Sequence, residues 1–219
     1  MDQIKLQRII DSGVDFNISK IIDKAWAMFK ARAMFHIGFA FLILNIQFVF
    51  TFYLEDFVFI YSIFLAPPLV AGFYLVANRM SQGEYVDFQN YFDGFKYILP
   101  LIIVNLLTGI FILCGIILLI LPGIYLGVAY LFSLLFVLFG GFDFWPAMEY
   151  SRKLVNTNWW KFFGFVLVLL LINIGGFLCL IVGLLVTIPL TYLSVYVLFE
   201  ELTIDAAEDL EVISKPEFD

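Results

Sequence analysis

Long apolar runs, broken by short charged stretches, dominate the chain. No charged residue occurs between Lys96 and Asp143 or between Lys161 and Glu200. A helix needs about 20 apolar residues to cross a bilayer core, so each of these runs has room for two spans. Two earlier runs, at about 33–54 and 57–78, are divided by Glu55-Asp56. The pattern therefore predicts six transmembrane helices, at about 33–54, 57–78, 98–121, 123–140, 162–182 and 183–200. The expected fold class is an all-α integral membrane protein. A single membrane domain covers 1–200, and an acidic cytoplasmic tail covers 201–219.

Between the runs, apolar residues recur at helical spacing. After Asp15 the residues Ile18, Ile21, Ile22, Ala25, Trp26 and Phe29 fall on one face, with Lys20, Asp23, Lys24 and Lys30 opposite. Asp15 or Asn17 is the expected N-cap. After Asp87, Phe88, Tyr91, Phe92 and Phe95 form a shorter face of the same kind. After Asp143, Pro146 fits a first helical turn; Ala147, Tyr150 and Leu154 lie on one side, while Glu149, Arg152, Lys153 and Asn156 lie mostly on others. Each segment opens on a similar tetrapeptide: VDFN at 14–17, VDFQ at 86–89 and FDFW at 142–145. The letters alone are not diagnostic, because Asp56-Phe57 has no such helix after it.

The spans behind each tetrapeptide repeat as well. The first span of each pair carries one Asn (Asn45, Asn105, Asn173), and the second carries Tyr-Leu (Tyr74-Leu75, Tyr125-Leu126, Tyr192-Leu193). The expectation is three parallel helical-hairpin units, about 14–80, 86–141 and 142–200, each preceded by an interfacial amphipathic helix. Units that all enter from one side are related by an axis along the membrane normal, unlike inverted transporter repeats.

Composition supports a membrane setting. The chain is 63% hydrophobic and 14% charged, whereas soluble domains carry about 25% charge. Its net charge of −7 mostly describes the tail, since eight of the 19 acids lie in the last 20 residues. The Lys and Arg residues fall before span 1, between spans 2 and 3, between spans 4 and 5, and after span 6. By the positive-inside rule both termini are expected in the cytoplasm, with the chain in a bacterial cytoplasmic (inner) membrane. The first 32 residues alternate charged and apolar positions and do not read as a cleavable signal. Lys20, Lys24, Lys30, Arg32, Arg152, Lys153 and Lys161 are expected to contact lipid headgroups. Trp26, Trp145, Trp159 and Trp160 are the expected interfacial anchors.

Several stretches carry a resemblance: APPLVAGFYL, YFDGFKY, LPGIYLGVAY, AMEYSRKLVNTNWWKFFGF and VTIPLTYLSVYVLFEEL. The run from about 66 to 201 resembles a bacterial six-span family of unknown function. It is similar to the membrane domain fused to some glycerophosphodiester phosphodiesterases. Ser151-Arg152 and Asn158-Trp159-Trp160-Lys161 match the pattern best. The resemblance implies a six-helix α fold and no catalytic residue, since this chain holds only the membrane part.

Candidate chemistry is sparse. His36 is the one histidine, and no carboxylate lies inside a span, so neither a metal centre nor a proton relay is expected. Cys114 and Cys179 have no ligand spacing. No Ser/His/Asp set, HExxH or glycine-rich phosphate loop is present, and no catalytic residue, cofactor or metal is expected. Asn45, Asn105 and Asn173 have two readings: interhelical hydrogen bonding, or a polar ring lining a small cavity. Accordingly the expected function is that of a non-enzymatic membrane-organising protein, or a subunit or accessory of a membrane complex. Its partners would be membrane lipids and other membrane proteins or further copies of itself, not nucleic acid. The alternative is a carrier or binder of a lipid or small amphiphile through a pseudo-threefold axial cavity.

Overall fold

A computed structural model describes residues 3–179 and 182–205. All regular structure among them is helical. The chain begins with α1 (Gln3–Ser12), α2 (Ile18–Ala31) and α3 (Ala33–Phe52). A one-turn 3₁₀ helix (Glu55–Phe57), α4 (Val58–Ile60) and a π turn (Tyr61–Leu65) lead into α5 (Ala66–Ser81). A 3₁₀ helix (Phe88–Tyr97) runs into α6 (Ile98–Leu118). Then come α7 (Ile120–Ala129), α8 (Ser133–Leu138), α9 (Phe144–Asn156), α10 (Trp159–Leu178), α11 (Leu184–Glu200) and a closing π turn (Glu201–Asp205).

Six helical stretches are long and apolar enough to cross a membrane: Ala33–Phe52, Glu55–Ser81, Phe88–Leu118, Ile120–Leu138, Trp159–Leu178 and Leu184–Thr203. The chain is thus a multi-pass membrane protein of six candidate spans. Where the boundaries differ from the sequence expectation, proline and glycine chemistry explains the shift. Pro122 does not break the helix; it lies in the first turn of α7, where its missing N–H has no partner to lose, and the break falls at extended Leu119. Pro67 and Pro68 open α5. They cannot donate to the carbonyls of the preceding turn, and the helix there widens to a π turn over Tyr61–Leu65.

The turns at the far ends of two hairpins are tight. A Cβ on Gly115 would lie 2.9 Å from the Gly123 nitrogen, and one on Gly183 would lie 2.4 Å from the Gly176 oxygen. Glycine at these positions lets α6 meet α7, and α10 meet α11, backbone to backbone. The α3–α5 turn is longer and has no such pair; α3 leans on α11 and reaches α5 through Phe39 and Phe73, ring centroids 5.1 Å apart.

Two elements depart from the sequence pattern. Helix α1 was not foreseen; it buries Leu6 and Ile9 and packs on α9 and the closing π turn. The segment after Asp87 winds as a 3₁₀ helix, so period three rather than 3.6 decides its buried face. Tyr91 and Gly94 are buried, and Phe92 turns outward. The reason is close packing on α5: a Cβ on Gly94 would sit 2.1 Å from the Pro68 oxygen, and one on Gly72 would sit 2.0 Å from the Tyr91 oxygen.

The main core gathers where α8, α10 and α11 meet. Phe199 packs against Phe132, Phe136 and Phe139 with centroid separations of 5.8, 5.1 and 6.2 Å. Helix α2 turns Ile21, Ala25 and Phe29 into protein and lies along α11. Glu201, Leu202 and Thr203 of the expected tail belong to the closing π turn, with Leu202 and Thr203 buried. The rest of the acidic segment, 206–219, lies outside the described residues.

Candidate functional site

Polar side chains gather at the end of the bundle that holds α2, the C-termini of α5 and α11, and the N-terminus of α10. Three buried anchors fix this end. Tyr196 on α11 accepts a hydrogen bond from Asn78 Nδ2 (3.0 Å), lies 3.0 Å from Ser81 Oγ and donates to Glu200 Oε1 (2.9 Å). It thereby ties α5 to α11. Ser151 on α9 donates to the Ala129 carbonyl (2.8 Å) and accepts from the Phe132 N–H (3.1 Å). Those two groups flank the interruption between α7 and α8, so one hydroxyl satisfies both sides of a broken helix. His36 Nδ1 lies 2.7 Å from the Tyr91 hydroxyl, and its ring stacks on Phe29 at 5.6 Å. From the sequence His36 reads as an interfacial or packed histidine, and the structure packs it; none of these three sets of hydrogen bonds has a local signature.

Around these anchors most cations are paired. Lys24 meets Glu201 at 2.6 Å, and Lys161 meets Asp15, linking segments 177 and 146 residues apart in sequence. Arg152 grips Glu149 through two bonds of 3.1 and 2.8 Å, with Lys153 3.7 Å away. Arg79 and Lys96 share Asp93 at 2.7 and 2.6 Å. The Lys161 hydrogen bond and charge hold the Asp15 carboxyl below its usual range. The hydrogen bond from Arg152 does the same for Glu149, and raises the guanidinium in return. Asn17, not Asp15, caps α2, accepting from the Lys20 N–H at 3.2 Å. Asp87 and Asn90 form a reciprocal capping box, whereas Asp143 stands at the N-cap position of α9 without a side-chain bond.

The three asparagines sit differently. Asn45 is exposed and donates to the Phe41 carbonyl of its own helix (2.7 Å). Asn173 donates to Leu169 of its own helix (2.8 Å) and to Thr191 Oγ1 across to α11 (2.6 Å). Asn105 is half-buried on α6. Among the described residues no hydrogen bond joins any two of them. Trp26, Trp145 and Trp160 are exposed; Trp159 is half-buried, stacked on Phe163 and Tyr125. Cys114 and Cys179 are free, and among the described residues no group of three metal-ligating side chains converges.

Comparison with family models, with curated proteins and with solved structures finds no match for this chain.

Proposed function

We propose that this is a non-enzymatic protein of a bacterial cytoplasmic membrane, with both termini in the cytoplasm. It organises the membrane or serves as an accessory subunit of a membrane complex. In this reading three parallel hairpin units, each entered through an amphipathic interfacial helix, surround a pseudo-threefold axis. The likeness to the membrane domain fused to some glycerophosphodiester phosphodiesterases belongs to the same proposal. Three observations support the units. The positive-φ glycines Gly13, Gly83 and Gly141 precede the Asp of each copy by two, four and two residues. Tight Gly–Gly turns close the second and third hairpins. The second span of each pair is the more buried one.

The observation that carries the non-transport reading is the filled contact between the α8 segment and α11, where buried Phe132 and Phe136 pack on Phe199 and Phe139 packs on buried Tyr196. Interlocked rings hold helices in one arrangement; a carrier needs an axis that opens. Purification from native membrane in mild detergent, with mass spectrometry of the co-purifying proteins and lipids, tests this. A companion membrane protein or a stable self-assembly is expected. A solitary monomer that moves lipid or amphiphile across proteoliposomes would establish the carrier instead. Cysteine labelling tests orientation: Asp56→Cys reacts from outside, and reaction of Lys153→Cys from outside overturns the topology.

A further inference from the structure

Ion pairing divides the basic residues into two sets. Lys24, Arg79, Lys96, Arg152, Lys153 and Lys161 each have a carboxylate partner. Lys30 and Arg32, like Arg8 and Lys20, have none among the described residues, but these two also line one open cleft of about 300 Å³ at the elbow between α2 and α3. Among the described residues its other walls are Ala31, Ala33, Met34 and Phe35. The size is at the lower end of small-ligand pockets, about 300–1,000 Å³.

The elbow is built to hold its shape. Arg32 leaves helical geometry (φ −139°, ψ 38°), and its carbonyl accepts from the N–H groups of both Phe35 and His36. Its guanidinium lies over the rings of Phe35 and Tyr85, at 5.9 and 5.4 Å from their centroids. Aromatic faces therefore position this charge without neutralising it. Just beyond, at the first turn of a candidate span, Met34 is 82% exposed. Two unneutralised cations at the head of a membrane helix, with a bare thioether beside them, suit a ligand that is a phosphate at one end and apolar at the other.

We propose that this elbow is a binding site for an anionic phospholipid, with Lys30 and Arg32 on the headgroup phosphate and Met34 and Phe35 against the start of an acyl chain. The inference rests on the membrane reading of the chain, but not on any account of what the protein organises there. It assigns a discrete site where a diffuse basic belt would give uniform attraction.

The test is native mass spectrometry of the detergent-purified full chain titrated with phosphatidylglycerol, phosphatidylcholine or inorganic phosphate. One retained phosphatidylglycerol is expected, with weaker retention of phosphatidylcholine. K30Q/R32Q should weaken it about thirtyfold and K30Q alone about fivefold, from the usual contribution of each cation near a membrane surface. K20Q, which removes an exposed cation away from the cleft, should leave it unchanged. The single variant covers the case in which loss of Arg32 disturbs folding. Equal retention of both lipids, or equal loss in K20Q and K30Q, overturns the site. Inorganic phosphate that binds as tightly and is lost in the same variants makes it a site for a soluble phosphate and overturns the lipid assignment. Insertion into vesicles is scored in the same preparation. Failure to insert sinks the membrane reading, whereas insertion without lipid preference sinks only this inference.

Discussion

The first and second helices of each consecutive pair are all apolar enough to cross a membrane, yet they occupy different surroundings. Within the span-forming windows, Glu55–Ser81, Ile120–Leu138 and Leu184–Thr203 are 44%, 44% and 50% buried in protein. Ala33–Phe52, Phe88–Leu118 and Trp159–Leu178 are 17%, 17% and 22% buried. The relation to hydrophobicity is the reverse of that in a water-soluble core. Leu184–Thr203 is the least hydrophobic of the six and the most buried, while Phe88–Leu118 is the most hydrophobic and among the least buried. In a bilayer an apolar side chain gains little by leaving lipid for protein, so close packing and hydrogen bonds choose the inner helices. Helix α11 has both, with buried Phe199 and Leu193 and the bonded hydroxyls of Ser194, Tyr196 and Thr191.

Truncation on the two classes of helix should break or confirm this contrast. Phe199→Ala on α11 opens a cavity against three rings and should cost about 3–5 kcal/mol. Leu170→Ala on α10, where the side chain is exposed, should cost less than about 0.5 kcal/mol. Unfolding by SDS in mixed micelles measures both, and equal losses would abolish the distinction between inner and outer spans. A smaller effect is expected where backbones touch. Gly72→Val puts a Cβ into the Tyr91 carbonyl and should cost about 1–3 kcal/mol. Gly164→Ala on α10 meets nothing within 4 Å and should be neutral or slightly stabilising in the same titration.

Ser151→Ala should cost about 2 kcal/mol, because the Phe132 N–H and Ala129 carbonyl lose their partner inside protein. Its signature is faster hydrogen exchange at the Phe132 amide; unchanged exchange would show that the interrupted span needs no bridge. The smallest effect is electrostatic. Asp15 and Glu149 have folded-state pKa values below their unfolded ones. Their contribution is therefore full above the ordinary carboxylate range and is lost as pH falls through the lowered folded values. As pH falls below about 4, out of the ordinary carboxylate range, the charged end should loosen while the outer spans stay helical. Glu149→Gln should remove under ~1 kcal/mol at neutral pH, since the pair is screened by solvent. If D15N/E149Q retains the full acid response, the sensitivity lies elsewhere.

Much of the fold was legible in the sequence, and the parts that were not have identifiable causes. The division at Glu55-Asp56 was readable because charge is costly in lipid, and α3 ends at Phe52 with Glu55 opening the next helix. The apolar face Ile21, Ala25 and Phe29 was readable from its spacing, but not that it would meet α11 rather than acyl chains. Of the face after Asp87, Tyr91 is buried and Phe88 and Phe95 pack against the core, while Phe92 turns outward because contact with α5 through Gly72 and Gly94 imposes a winding tighter than 3.6 residues per turn. Helix α1 carries little signal in the sequence because Leu6 and Ile9 alone make its buried stripe. Its stability comes from docking on α9, a contact between elements more than a hundred residues apart.

The three asparagines mark the same boundary. The sequence placed one in each first span, and the repeat suggested that they share a role. Their surroundings differ: among the described residues Asn45 bonds within its own helix alone, and Asn173 reaches Thr191 on α11.

By itself the sequence determined which six stretches are long and apolar enough to cross a membrane, and where the charges must stop. Those follow from the cost of placing charge and unpaired backbone in hydrocarbon, which is paid residue by residue. Only the tertiary structure decided which helices lie inside, which cations keep their charge unpaired, and which hydroxyl mends the interrupted span. An apolar helix face is equally content against lipid or protein, so nothing local distinguishes them. The choice rests on glycine contacts, ring packing and hydrogen bonds between residues distant in sequence.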